Sequence, residues 1–265
     1  MVGSCGRDRK WEQLMGVLEG DVALVTGAGQ GIGRGIALAL AAEGARVAVV
    51  GRTLSKVVDT ADEIVRRGGD AVALQCDVTD AERIDAVVAA VVDRYGGLSI
   101  LVNNAQTPAH GMLLDVSEDD YHGSMNSGPL ATLRLMRVCH PHLKGRGSIV
   151  NLGSAAGLKW DPTGTGAYAA AKEAVRVLTR TAACEWGSDG IRVNAVLPLA
   201  STPLMDEWAE LNPEAYGEYL RSVPLGRLGD AESDIGPAVV FLCSPAARYI
   251  TGHSLPVDGG QAFLR

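Results

Sequence analysis

Val22-Ala23-Leu24-Val25-Thr26-Gly27-Ala28-Gly29-Gln30-Gly31-Ile32-Gly33 is a short apolar, β-prone run feeding directly into a glycine-rich turn. An Ala/Leu-rich helix is predicted next, over Arg34 to Glu43. Strand, glycine turn and helix in that order are the context that a dinucleotide fingerprint requires. Gly27 permits the tight turn. Gly31 and Gly33 let the backbone approach a pyrophosphate and the helix pack on the strand, and the helix N-terminus offers unpaired N–H groups to phosphates.

The next strand, Arg46 to Val50, ends at Gly51-Arg52-Thr53. A unit that takes an unphosphorylated ribose places an acid at about this point, and none is present. Arg52, with Thr53 and Arg34 beside it, has the charge and donors to meet a 2′-phosphate. The alternative is that Arg52 is an ordinary solvated loop residue. A helix over Lys56 to Arg67 follows, then a strand over Ala71 to Gln75 ending at Cys76-Asp77-Val78. A helix over Ala81 to Tyr95 leads to a strand over Leu98 to Val102, which ends in Asn103-Asn104-Ala105-Gln106.

Helices are expected over Glu118 to Asn126 and Gly128 to His142, then a strand over Ser148 to Leu152. A long helix from Tyr168 to Trp186 leads into a sixth strand, Ile191 to Val196, stopped by Pro198. Residues 199–228 mix Trp208, Tyr216 and Tyr219 with acids and three prolines, and read as a helical excursion suited to covering a pocket. A helix over Ile235 to Cys243 and a strand over His253 to Val257 come last. This alternation predicts an α/β fold, a single Rossmann-type doubly wound parallel sheet with helices on both faces and ligands at the carboxyl ends of the strands. Asp77 and Asn103 sit at such ends. Residues 19–265 are expected to be one dinucleotide-binding and catalytic domain. Residues 1–18, polar and mixed in charge, are expected to be a flexible arm, with Met15 as the true start.

Composition bounds the partners. The chain has 265 residues, is 47% hydrophobic and carries a formal charge of −7, so it has ample material for an aliphatic core. An acidic chain without a Lys/Arg block argues against a nucleic-acid partner. Apolar runs such as Val47 to Val50 and Ala86 to Val92 are far too short to span a bilayer, and a cytoplasmic protein is expected. Five cysteines, at 5, 76, 139, 184 and 243, show no Cys-x-x-Cys spacing and read as reduced thiols. His140-Pro141-His142 lacks further ligands at suitable spacing, so no metal is expected.

Gly153-Ser154-Ala155 is followed by Tyr168-Ala169-Ala170-Ala171-Lys172. Tyr168 and Lys172 are four apart in an Ala-rich helix, one turn apart on one face. A neighbouring ammonium favours the phenolate, and a phenol brought nearer neutrality can give or take a proton. Ser154 is then placed to hold a carbonyl or hydroxyl oxygen. The bland reading is a helix that carries Tyr and Lys at this spacing by coincidence.

Several motifs in order argue against coincidence, because together they resemble the classical short-chain dehydrogenases/reductases from about Leu18 to the C-terminus. Thr26 to Gly33 resembles that family's cofactor motif, Asn103-Asn104-Ala105 its strand-four signature, and Ser154, Tyr168 and Lys172 its catalytic trio. Asn126, in a Met-Asn-Ser-Gly context, is similar to its fourth catalytic residue. The resemblance implies Tyr168 as general acid or base. Lys172 would lower the phenol's pKa and bond the nicotinamide ribose, Ser154 would orient the substrate oxygen, and Asn126 would hold a water in a proton relay. It places the cofactor against Gly27, Gln30, Gly31, Ile32, Gly33, Arg52 and Thr53. Further along it adds Asp77 and Val78 at the adenine, Asn104 and Ala105 in the cleft, and Pro198 followed by Thr202, which would reach the nicotinamide carboxamide or a phosphate.

Arg52 in place of an acid looks like the members preferring NADP(H), with NAD(H) as the alternative cofactor. The implied substrate is a small-molecule ketone or secondary alcohol, and the implied assembly a homotetramer or homodimer. Two departures stand beside the nicotinamide site: Gln106 where the family usually has glycine, and Leu199 after Pro198 where it usually has glycine. They are the only support for a competing reading, a vestigial nucleotide-binding regulator. The interval from Ser154 to Tyr168 is also one residue longer than the family's commonest spacing, with Trp160-Asp161-Pro162 in the gap.

Overall fold

The computed structural model describes residues 16–159 and 162–262. Seven strands, β1 (Val22–Thr26), β2 (Arg46–Gly51), β3 (Ala71–Gln75), β4 (Ile100–Asn103), β5 (Ser148–Leu152), β6 (Arg192–Pro198) and β7 (Ser254–Val257), form one parallel sheet in the order β3-β2-β1-β4-β5-β6-β7. The chain builds outward from β1 in one direction and, after β3, from β4 in the other. The reversal between β1 and β4 leaves a crevice at their carboxyl ends.

Between the strands lie α1 (Gly31–Ala42), α2 (Leu54–Arg66), α3 (Ala81–Tyr95), α4 (Glu118–Met125), α5 (Ala131–Leu143), α6 (Gly166–Trp186), α7 (Pro203–Leu211), α8 (Pro213–Arg221) and α9 (Gly236–Cys243). Side chains alternate across a strand, and the core divides accordingly. Ala23 and Val25 of β1 join Val47 and Val49 of β2 beneath Ile36 and Leu40 of α1, Ile64 of α2 and Val239 of α9. Val22 and Leu24, with Ala48 and Val50, face the other way onto Ile84 of α3, Leu135 of α5 and Ala182 of α6. Both faces of the sheet are therefore covered. No helix among the described residues is long and apolar enough to cross a membrane.

Most boundaries shift by one to three residues from the sequence expectation, and three of the differences have a clear physical cause. Helix α1 starts at Gly31, because the glycine turn itself forms its first turn, with Gln30 extended at the cap. Pro198 does not stop the sixth strand from outside but closes it, paired with Val257. The next ladder donor is Leu199, whose N–H reaches Val257 O at 3.0 Å. Between α4 and α5 lies a π turn, Asn126–Leu130. Pro129 has no N–H to give, and the Ala131 N–H reaches back to Asn126 O, five residues earlier.

The expected arm and the start at Met15 fall largely on residues 1–15, outside the described residues. Leu18, expected in that arm, is instead fully buried. Its N–H donates to Glu43 O at 2.9 Å, which fixes the chain against the end of α1. Trp160 and Asp161 also lie outside the described residues. The excursion at 199–228 is helical as α7 and α8, each with a proline in its first turn where the missing N–H costs nothing.

Helix α1 packs on the π turn Ala231–Ile235 and on α9 through glycine. A Cβ on Gly35 would lie within 2.6 Å of Ala231 Cβ and O. Backbone on the far side cannot yield, so Gly35→Ala is expected to lower unfolding free energy by about 1–3 kcal/mol, as urea denaturation would measure.

Candidate active site

The carboxyl ends of β1 and β4 are stitched together. Thr26 Oγ1 accepts the N–H groups of Asn104 (3.0 Å) and Ala105 (3.1 Å), and Asn104 Nδ2 donates to Thr26 O (2.9 Å) and Gly27 O (3.3 Å). Gly27 and Gly31 have φ of +65° and +54°, a conformation that L side chains rarely adopt. A Cβ on Gly33 would overlap Gly27 O and Asn104 Nδ2. The glycines thus hold open a cradle in front of the α1 N-terminus.

A cavity of about 420 Å³ occupies this cradle, floored by Gly27, Gln30 and Gly31. Arg52 and Thr53 border it at the end of β2, Asp77 and Val78 at the end of β3, Asn104 and Ala105 at β4, and Thr202 opposite. Asp77 is held by its own turn, its Oδ1 accepting Thr79 N–H (2.9 Å) and Thr79 Oγ1–H (2.8 Å). Arg34 is not among the lining residues. Lys56 is, and it bonds Gln30 Oε1. Nothing in the sequence marks this second cation as a cavity residue beyond its place one helical turn past Arg52.

A second cavity, about 200 Å³, adjoins the first and shares Asn104 and Gln106 with it. Ile32, Tyr168, Lys172 and Pro198 border it. Ser154 is extended at the end of β5 and accepts Ala156 N–H at 3.1 Å. Burial pushes the Tyr168 phenol above its ordinary range, and a hydrogen bond with Ser154 pulls it partly back. Lys172 is fully enclosed, donates to Leu152 O at 2.7 Å, and is lowered to about 8 by burial. Its Nζ lies 5.6 Å from the Tyr168 ring centroid. In this state desolvation, only partly offset by Ser154, sets the direction at the phenol, contrary to the expectation of a lysine-lowered tyrosine.

Asn126 is not among the residues bordering the small cavity. It sits on the π turn, which packs against α6, and borders a separate apolar cavity of about 780 Å³ with Leu130, Leu133 and Val177. Gln106 bridges β4 and α4, its Nε2 donating to Ser124 Oγ at 3.2 Å. No described non-glycine residue has positive φ, so Gln106 and Leu199 hold their positions without backbone strain. Asn103 Oδ1 and Gln106 Oε1 are buried without a hydrogen-bond partner. Such orphaned acceptors cost about 1–3 kcal/mol each, and Gln106 lies at the junction of the two cavities. His110, also unforeseen from sequence, places its ring 5.8 Å from that of Tyr168.

Among the described residues no group of three or more His, Cys, Asp or Glu could hold a metal. His140 pairs instead with Asp189 at 2.8 Å. Cys76, Cys139 and Cys243 are buried thiols and Cys184 is exposed.

A family profile described as enoyl-(acyl carrier protein) reductase matches residues 27–262. A 12α-hydroxysteroid dehydrogenase from a Clostridium species is 43% identical over 93% of this chain and 98% of its own length. The chain belongs to the short-chain dehydrogenase/reductase family. A 3-oxoacyl-[acyl-carrier-protein] reductase of Vibrio cholerae is 40% identical over 93% of the chain and 99% of its own length. A solved short-chain alcohol dehydrogenase from Sinorhizobium meliloti superposes with a TM-score of 0.87 at 39% identity, covering 92% of this chain and 97% of that one. Relatives of this kind are named dehydrogenases or reductases, and this chain is an NAD(P)-dependent oxidoreductase. The cradle that any Cβ would fill, and the two cations at its far end, fit such a dinucleotide.

The buried lysine has a cost that can be measured. Its folded pKa lies below its unfolded value, so below about pH 8 the folded chain carries the full penalty of an enclosed ammonium, and the penalty fades as pH rises toward the ordinary lysine range. Lys172→Met is therefore expected to raise stability at pH 7 by on the order of 1–3 kcal/mol while abolishing turnover. The stability gap from wild type, measured by urea unfolding, should shrink between pH 8 and 10.

Proposed function

We propose that the chain is an NADP(H)-dependent oxidoreductase that interconverts a ketone and a secondary alcohol, with Tyr168 as general acid/base. The observation that carries this reading is the meeting of Tyr168 and Lys172 at a small cavity beside the nucleotide-shaped one, with Ser154 hydrogen-bonded to the Tyr168 hydroxyl. The bound nicotinamide supplies or accepts the hydride, and the protein supplies position and proton.

Within the small cavity the Tyr168 hydroxyl, kept protonated by burial, stands ready to donate to a carbonyl oxygen during reduction. Ser154 already bonds that hydroxyl and would hold the same substrate oxygen, fixing its approach. Lys172, saturated on one side by Leu152 O, has ammonium hydrogens left for the nicotinamide ribose hydroxyls. A negative charge developing on Tyr168 would hold Lys172 in its charged form, so each group's burial cost is offset in the state that reacts. Asn126, on the π turn behind α6, is assigned the water that resupplies the proton. The helices α7 and α8 are assigned the cover, with Trp208 packed edge-on against Tyr216 and Tyr219, each at 6.1 Å.

Cofactor preference rests on the β2 end. Arg52 is exposed at the cavity rim without a carboxylate partner among the described residues, and Lys56 stands one turn further. Two cations and no acid at this end favour a 2′-phosphate over a bare ribose.

Tyr168→Phe is expected to leave the fold and cofactor affinity intact and to lower kcat by about 10²–10⁴-fold; unchanged turnover with a carbonyl substrate would end the acid/base assignment. Arg52→Asp should raise KM for NADPH about 10- to 100-fold and spare or improve NADH. An equal change for both cofactors would remove Arg52 from the phosphate.

A further inference from the structure

The mouth of the small cavity is bounded by the segments that leave β4, β5 and β6, three neighbouring strands. The segment after β4 carries an aliphatic ledge. Met112, Leu113 and Leu114 are 53%, 78% and 98% exposed, although the turn presenting them is fixed, with Asp115 and Val116 N–H both donating to Met112 O at 2.9 Å. The ledge is fastened beside the catalytic helix: Gly111 N–H donates to Gly164 O at 2.8 Å. A Cβ on Gly166, two residues before Tyr168, would meet Leu113 Cδ2 at 3.1 Å. His110, at the root of the ledge, reaches the Tyr168 ring. Helix α7, assigned to the cover, adds Leu211, 74% exposed. Three consecutive large apolar side chains held rigidly in water beside a catalytic phenol form a surface that an apolar ligand would cover.

Charge narrows the ligand further. From 105 to 133 the chain has four carboxylates, Asp115, Glu118, Asp119 and Asp120, and no Lys or Arg. From 199 to 228 it has five, Asp206, Glu207, Glu210, Glu214 and Glu218, against Arg221 and Arg227. All nine carboxylates are on exposed residues. Arg221 is spent on Glu218 (3.7 Å) and Arg227 on Asp234 (2.6 Å). The described part of the β5–α6 connection adds one cation, Lys159. Both the segment after β4 and the segment after β6 are therefore net negative.

We propose, building on the carbonyl chemistry above, that the substrate is an uncharged ketone or secondary alcohol on a bulky alicyclic frame, taken free from solution. The frame lies on the Met112–Leu114 ledge, and the acidic entrance excludes acyl groups delivered on phosphorylated or acidic carriers. This separates the chain from its carrier-protein-dependent relatives on entrance charge, since the reacting trio is common to both chemistries.

The test compares kcat/KM, with NADPH, for 1-decalone, acetoacetyl-coenzyme A and its neutral truncated counterpart, acetoacetyl-N-acetylcysteamine. At low ionic strength decalone should exceed the coenzyme A thioester by about tenfold or more, the neutral thioester should also exceed it, and added salt should close the gap between the thioesters. The triple variant Asp119→Lys/Glu210→Lys/Glu214→Lys should raise kcat/KM for the coenzyme A thioester by about tenfold and leave that for decalone unchanged. Leu113→Ser/Leu114→Ser should raise KM for decalone several-fold at constant kcat. A coenzyme A thioester that matches or beats decalone at low salt, or a triple variant with no effect on it, overturns the substrate assignment alone. Absence of turnover with every carbonyl compound and either cofactor overturns this assignment and the proposed function together.

Discussion

The site depends on the seam between β1 and β4. These two strands are neighbours in space although β2, β3 and their helices separate them in sequence, and at their carboxyl ends the side chains of Thr26 and Asn104 bind each other's backbone and that of Ala105 and Gly27 through four hydrogen bonds. That seam fixes the exit direction of both chains. One becomes the glycine turn, which can follow its path only with Gly27 and Gly31 at positive φ and with no side chain on Gly33. The other becomes the Asn104–Gln106 wall shared by both cavities. The crevice follows from strand order, and the glycines keep it empty.

The second organising cost is electrostatic. An ammonium enclosed beneath Leu152 and a phenol enclosed beside Ser154 are each in an environment that disfavours its charged form. Neither shift helps the folded chain on its own. Placed one helical turn apart, the two groups can charge together, which is the state in which desolvation turns from a penalty into a stronger mutual attraction. The structure thus stores instability at the place where the proposed function needs a proton to move.

Much of this was legible in the sequence because the signals were local. The strand and glycine turn at 22–33, the strands at 71–75 and 148–152, the helix at 81–95 and the four-residue interval from Tyr168 to Lys172 are each set by period and residue type over a few positions. The π turn at 126–130 was not, although Pro129 supplied its cause, because a period cannot distinguish a bulged helix from two helices. Lys56 at the nucleotide cavity and His110 beside Tyr168 escaped for a different reason: each is an ordinary surface residue until the fold brings a second segment to it. The sign of the Tyr168 shift escaped because spacing reports how near Lys172 lies but not how dry the space around both becomes. The burial of Leu18 was hidden by the polar residues preceding it.

The proposed activity requires these two adjoining cavities to join a phosphorylated dinucleotide to a carbonyl. Its most direct test is the initial rate of NADPH and NADH consumption, side by side, over ketones ranging from small diketones to bulky alicyclic compounds. Turnover with NADPH ahead of NADH is the predicted result. Binding of both cofactors with consumption of neither would contradict it, and would leave Ser154, Tyr168 and Lys172 as the remains of a site that no longer reacts.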